Sequence, residues 1–375
     1  MQLSVHNQSV ADLTLDGLIT YAASQNASDI FLKAGVPPGL RVLGRIVKTP
    51  FPALSPEDTM RLAYEHLDQA QQDQFERGLE MNVSFTVPDV ARIRQNIYRE
   101  RGFVATTCRL ISLRVKSLEE IGVHSEAIKN MTTASHGLVL VTGPTGSGKT
   151  TTLAAMIDYI NEHRPVNIIT QEDPIEYVYT DKMAMISQRE IGIDTLSFGE
   201  ALRQVLRQTP DVILIGEMRD LETLNVALQA AETGHLVFGT LHTASAAETL
   251  DRISNMYAPH ERTMLWLRLS TTLRGVISQK LVRRADDSGR VVAQEIMVVT
   301  PTISKLLEEG KSSDLYTAIK QGGQEEYWGM QTMNQCLEKL VADGTITEDD
   351  ALAHAGNLTE MKQALRRSLN LRRAA

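Results

Sequence analysis

The segment Gly143-Pro144-Thr145-Gly146-Ser147-Gly148-Lys149-Thr150 constrains this chain more than any other. It has the form G-x-x-x-x-G-K-[ST], follows the apolar run Leu138–Val141, and precedes a helical pattern over Thr151–Ile160. A strand before the motif and a helix after it are the context that gives the motif its meaning. The glycines let the backbone wrap a polyphosphate, so that N–H groups and the N-terminus of the next helix face negative charge. Lys149 is expected to reach the β- and γ-phosphates, and the Thr150 hydroxyl to sit on Mg²⁺. Gly143–Thr150, with Thr151 in the first helical turn, are thus the expected binding residues for a nucleoside triphosphate.

The text around this loop reads as an α/β core. Strand-length apolar runs at Leu138–Val141, Val166–Thr170, Val212–Ile215 and Leu236–Gly239, with Val291–Val299 later, alternate with helical segments. That alternation predicts a parallel sheet covered on both faces over residues 137–300. Residues 1–115 read instead as a small α+β unit. A helical pattern (Leu13, Leu18, Ile19, Ala22) precedes strands at Asp29–Leu32, Leu40–Leu43 and Val83–Val87, and Gly35-Val36-Pro37-Pro38-Gly39 supplies turn chemistry. The alternating run Arg92–Tyr98 and the strand Phe103–Ile111, joined by Arg99-Glu100-Arg101-Gly102, predict a hairpin. Residues 116–136 read as a polar, helical interdomain linker, with the hinge at Val115–Lys129. Residues 301–375 read as charged helices ending in Arg366, Arg367, Arg372 and Arg373, a tail that an acidic lipid or a membrane protein could meet.

Composition narrows the function. Of 375 residues, 38 are Lys or Arg and 46 Asp or Glu, a net charge of −8 that argues against nucleic acid as partner. Cys108 and Cys336 stand far apart, which rules out a disulfide framework and a four-cysteine zinc site. No run approaches the ~20 apolar residues of a membrane span. Met1–Asp16 lacks the basic-then-apolar pattern of a signal peptide, so the expected compartment is the cytoplasm.

Binding alone does not hydrolyse. Asp211-Val212-Ile213-Leu214-Ile215-Gly216-Glu217 is a strand ending in a carboxylate, and Glu217 is the expected acid on Mg²⁺. Glu172-Asp173-Pro174-Ile175-Glu176 sets three carboxylates within five residues, and Glu176 is the expected base or water-positioning group. His235 and His242 bracket the strand Leu236–Gly239, so one can lie near the γ-phosphate while the other props the far end.

In this order, Gly143–Thr150, Glu172-Asp173-Pro174-Ile175-Glu176-Tyr177, Gly216-Glu217-Met218-Arg219-Asp220 and Thr233-Gly234-His235…Thr240-Leu241-His242-Thr243 resemble the Walker A, Asp, Walker B and His boxes of the type II/IV secretion ATPase superfamily. Flanking text from Ala27-Ser28-Asp29 to Gly329-Met330-Gln331-Thr332 is similar to its PilT/PilU branch, the type IV pilus retraction ATPases. The resemblance implies a PAS-like N-terminal domain, a RecA-like ATPase domain with C-terminal helices, and a homohexamer with ATP and Mg²⁺ between the two domains. By motif position it assigns catalysis to Glu176, Glu217 and His242, and nucleotide contact to His235. It also places phosphate-sensing arginines at Arg92, Arg94 and Arg109. It further implies a cytoplasmic motor peripheral at the inner membrane, touching a pilus platform protein there and a paralogous retraction ATPase, and driving twitching motility. The absence of a four-cysteine insertion separates the chain from assembly-type relatives. The segment Thr302–Glu309 departs from the Ala-Ile-Arg-Asn-Leu-Ile-Arg-Glu of many retraction enzymes, and Glu261-Arg262…Trp266-Leu267 is closer to the PilU side. Alternatives that stay open here are an accessory ATPase dependent on a paralogue, a secretion or pilus-assembly ATPase, and a DNA-directed RecA-like motor.

Overall fold

A computed structural model describes residues 13–42, 44–111, 113–323 and 328–374, with side chains described up to Arg367. Most of Met1–Asp16, Leu43, and the side chains of Arg372 and Arg373 lie outside the described residues. Two compact units divide after Arg114, the short segment Glu176–Val178 being grouped with the first.

The N-terminal unit is a six-stranded antiparallel sheet with three helices. Helix α1 (Leu15–Ser24) starts where the Thr14 side chain accepts the Gly17 amide, and it buries Leu15, Leu18, Ile19 and Ala22. Strands β1 (Ala27–Leu32), β2 (Gly39–Val42) and β3 (Arg45–Lys48) follow, then α2 (Pro56–Tyr64), α3 (Gln69–Gly78), β4 (Glu80–Val87), β5 (Ala91–Glu100) and β6 (Phe103–Ile111). Apolar periodicity passes over α2 and α3 because they bury little. Their start signals are capping boxes, Ser55 with Asp58 and Asp68 with Gln71. The expected hairpin forms between β5 and β6, turned by Arg101 and Gly102 at φ 53° and 83°, the left-handed pair that suits a two-residue connection. Strand order is β3-β2-β1-β6-β5-β4. Along β5, Ala91, Ile93, Gln95 and Ile97 point into the core while Arg92, Arg94, Asn96 and Tyr98 take the opposite face.

The second unit holds a seven-stranded sheet of order β13-β12-β7-β11-β10-β8-β9, made of β7 (Gly137–Thr142), β8 (Asn167–Glu172), β9 (Met185–Glu190), β10 (Val212–Ile215), β11 (Leu236–Leu241), β12 (Leu273–Arg283) and β13 (Arg290–Val298). All neighbours are parallel except β12 and β13. Both faces are covered, as the continuous apolar runs predict. Leu138 and Leu140 join Ile213 and Ile215 in one core, with α6 (Phe198–Val205), α7 (Leu221–Glu232), α8 (Ala246–Asn255), α9 (Arg262–Thr272), α10 (Pro301–Glu308) and α11 (Leu315–Gly322). Val139 and Val141 join Val212 and Leu214 on the other face, under α4 (Glu126–Thr132) and α5 (Lys149–His163). Each of these fully buried aliphatic side chains contributes roughly 1.5–3 kcal/mol.

Residues 116–136 correct the linker expectation. Leu118, Val123, Ile128 and Met131 are buried in the core of the second unit, so this segment packs as part of that unit. The C-terminal helices also differ among themselves. Helices α10 and α11 belong to the main core, whereas α12 (Met333–Ala342), α13 (Glu348–His354) and α14 (Leu358–Ala374) form a separate cluster on Val282 and Ala293 of the antiparallel strand pair. Among the described residues, no helix is long and apolar enough to cross a membrane.

Candidate nucleotide-binding site

Register places the site. Leu241 of β11 is level with Thr142 of β7, and Gly239 of β11 is level with Ile215 of β10. Gly143, His242 and Glu217 therefore leave the sheet side by side at its C-terminal edge, where parallel sheets hold ligands.

The loop is built around glycines that cannot be replaced. Gly143 has φ 144°, and a Cβ there would stand 2.4 Å from the Gln279 carbonyl oxygen and 2.6 Å from Ser147 Oγ. Gly148, at φ 89°, is the N-cap of α5 and offers no side chain to the first-turn amides. Helices α7 and α8, by contrast, are closed by Asp220 and Ser245. An uncapped N-terminus behind a glycine loop is an anion site. Ser147 Oγ is buried without a hydrogen-bond partner among the described residues, and a phosphate oxygen would supply one. Lys149 is buried, its Nζ donating to the carbonyl oxygens of Gly143 (2.7 Å) and Pro144 (3.1 Å). From below, Gln279 Nε2 donates to Thr152 Oγ1 (2.9 Å), and the Thr142 and Ser278 hydroxyls bond at 2.9 Å. Beside Pro144–Ser147 opens a cavity of about 380 Å³, walled by Lys280, Leu281, Arg290, Ala353 and His354. These residues fit a polyphosphate.

Glu217 is the centre of a charged trio. Arg219 donates to Oε2 at 2.6 Å and His242 Nε2 lies 3.1 Å from Oε1. The Arg219 guanidinium, then the His242 ring, hold the Glu217 carboxyl below the usual carboxylate range against the opposing effect of burial. Its oxygens and the Thr150 hydroxyl are the hard donors that Mg²⁺ takes. Arg219 was not singled out in the sequence, although Glu-x-Arg at a strand end puts both side chains on one side. In the acidic run, Glu172 turns inward. It is 5% exposed and accepts from Thr170 Oγ1 (2.7 Å) and Gln188 Nε2 (3.0 Å), which relieves the repulsion among the three carboxylates. Glu176 is exposed and lies in the segment grouped with the N-terminal unit.

His235 and Arg109 each have a partner within their own unit. His235 precedes β11, level with the start of β7, and its Nδ1 faces the Ala230 carbonyl at 2.9 Å. It sits at the edge opposite to Gly143, a whole strand away, so within the chain it supports the α7–β11 turn and does not reach the loop. On the N-terminal sheet, Arg109 is engaged by buried Asp29 (3.0 Å), which also pairs with Arg41 (3.2 Å). Cross-strand register runs Arg41, Asp29, Arg109, Arg94, a row of three guanidiniums about one carboxylate, with Arg92 two residues before Arg94. The structure thus gathers Gly143–Thr151, Glu217 and His242 in one unit, and Arg94 and Arg109 side by side in the other.

Residues 106–370 match the family model described as Type II/IV secretion system protein. The type IV pilus retractation ATPase PilT of Pseudomonas aeruginosa is 47% identical over 334 residues, 89% of this chain and 96% of that one. The type IV pilus ATPase PilU of the same organism is 36% identical over 350 residues, 93% of this chain and 91% of its own length. The crystal structure of the pilus retraction motor PilT with bound ADP is similar with a TM-score of 0.87 at 42% identity, covering 94% of this chain and 100% of that one.

Proposed function

Because the chain belongs to the Type II/IV secretion system protein family and is an ATPase of type IV pilus retraction, we propose that Gly143–Thr151 grip ATP and that its hydrolysis works a homohexameric ring. The observation that carries the site is the convergence of the glycine loop, Glu217 and His242 at one sheet edge.

The roles follow from the chemistry of each group. First-turn amides of α5 and the Lys149 ammonium hold the phosphate oxygens, on which charge grows as the terminal phosphoryl leaves. Thr150 and Glu217 would hold Mg²⁺, which would neutralise part of that charge. Glu176 orients the attacking water and accepts its proton. Arg94 and Arg109 add positive charge to the γ-phosphate oxygens, and Arg92 contributes to binding. His242 keeps Glu217 oriented through its 3.1 Å contact.

The ring acts at the cytoplasmic face of the inner membrane, against a pilus platform protein and alongside a paralogous retraction ATPase. Higher identity to the retractation ATPase PilT than to PilU, 47% against 36%, supports the retraction reading. Lys149→Ala is expected to abolish ATP turnover in the purified protein, and Glu176→Gln to retain ATP while hydrolysing it slowly. Wild-type rates in both variants would refute the site. For the cellular role, deletion of the gene is expected to leave cells hyperpiliated and non-motile, whereas bald cells would indicate assembly.

A further inference from the structure

Glu295, on β13, is 3% exposed and takes no part in the chemistry described above. Its Oε1 accepts the amide of Ala246 at 2.8 Å, and the amide of Met333 also bonds to this carboxylate. Ala246 is the first residue of α8 and Met333 the first of α12, so one side chain holds two helices by their N-termini. Burial raises the proton affinity of Glu295 above that of an ordinary carboxylate, and the two amides and the charge of Lys280 offset this only in part. Lys280 lies on the neighbouring strand, where Ser278 pairs with Glu295 and Lys280 with Ala293, so the two charged side chains share a face of the sheet. Its Nζ donates to the His354 carbonyl at the end of α13 (2.9 Å), and it walls the cavity beside Pro144–Ser147.

Helix α8 opens four residues after His242, and the Thr243 and Thr249 hydroxyls, 2.7 Å apart, tie the intervening loop to that helix. Whatever fixes the first amide of α8 therefore fixes where His242 stands against Glu217. A position that served packing alone would be filled at least as well by an apolar residue, because a buried carboxylate loses its hydration. What a carboxylate adds is direction, since two oxygens accept two amides at one fixed geometry and helix N-termini favour the charge.

We propose that Glu295 is a positioning residue for ATP hydrolysis, which sets the His242–Ser245 loop in register with the C-terminal helices α12–α14, and that Lys280 joins this arrangement to the wall of the phosphate loop. This inference rests on the ATP reading above, and binding and turnover separate the two. Glu295→Gln preserves shape but turns an NH₂ toward one of the amides. It is expected to lower kcat by about tenfold to a hundredfold, the scale on which small misplacements are felt. Affinity for a fluorescent ATP analogue should stay at the wild-type value, and the unpaired amide should lower the melting temperature by about a few degrees while leaving the protein folded at the assay temperature. Lys280→Met keeps the stem without the charge and is expected to lower kcat as well, with the double variant no slower than Glu295→Gln alone. Full turnover in a folded Glu295→Gln protein would overturn the proposal. So would a loss of turnover matched by an equal loss of binding or of folded protein, which would assign Glu295 to stability. Strictly multiplicative losses in the double variant would overturn the shared role of the pair. Wild-type protein that bound no analogue would refute the nucleotide site itself.

Discussion

At Gly143 the backbone passes so close to Gln279 that a methyl group has nowhere to go. Its φ of 144° lies in a region open essentially to glycine, where strain for other residues is on the order of 1–3 kcal/mol. Gly143→Ala is therefore expected to deform the loop and weaken nucleotide binding by about tenfold or more, in line with that strain; unchanged affinity by titration calorimetry would contradict it. A second residue-scale prediction concerns Glu217. With its carboxyl held below the ordinary value of 4.5 in the folded state, it contributes stability that is fully present above that pH and is lost as the pH falls through the lower folded value. Removing Arg219, the larger cause, raises the folded value. Arg219→Ala should then melt lower than wild type near neutral pH and converge with it as the pH falls through the acid range, so that its acid fall is shallower, and an unchanged fall would deny the pairing. Lys149, Glu217 and His242 were legible in the sequence because strand, loop and helix signals fix where such residues emerge. Arg219 and Glu295 were not. Arg219 draws its meaning from an ion pair at a strand end, and Glu295 from amides 49 residues before it and 38 after.

At the scale of elements, α12–α14 depend on a small core of their own. Leu337 of α12 is fully buried there, with Val282 and Ala293 beneath it. Leu337→Ala is expected to cost about 2–5 kcal/mol by cavity formation. Protection from hydrogen exchange should fall first in α12–α14 and only later in β7, β10 and β11; a uniform fall would show that the helices and the main core unfold as one. The same contrast explains what periodicity could read. Strands β7, β10 and β11 are buried on both faces and appear as unbroken apolar runs. Strand β9 carries Gln188, Arg189 and Glu190 at the sheet margin, and β12 begins at Leu273 directly after α9 ends at Thr272, with no glycine or proline between. Neither has the boundary chemistry on which a strand assignment from sequence depends. Helix α4 reads as a linker because Glu126, Lys129 and Asn130 on its outer side are polar, and Ile128 and Met131 are lost to view among them.

For the whole molecule, the proposed homohexamer is measurable. Light scattering of the purified protein with ATP and Mg²⁺ is expected to give six times the chain mass of 41.5 kDa, and a mass of one or two chains under turnover conditions would refute the ring. In such a ring many identical N-terminal sheets are held at high local concentration. Strand β3 closes one side of that sheet with all four of its residues exposed, Ile46 and Val47 between Arg45 and Lys48. An open strand of this kind is a template for further pairing. Two copies meeting head to tail would set Arg45 of one beside Lys48 of the other, like charges directly opposed, which disfavours the union. The pair of cations works as a fence that keeps neighbouring sheets from fusing into one endless ribbon.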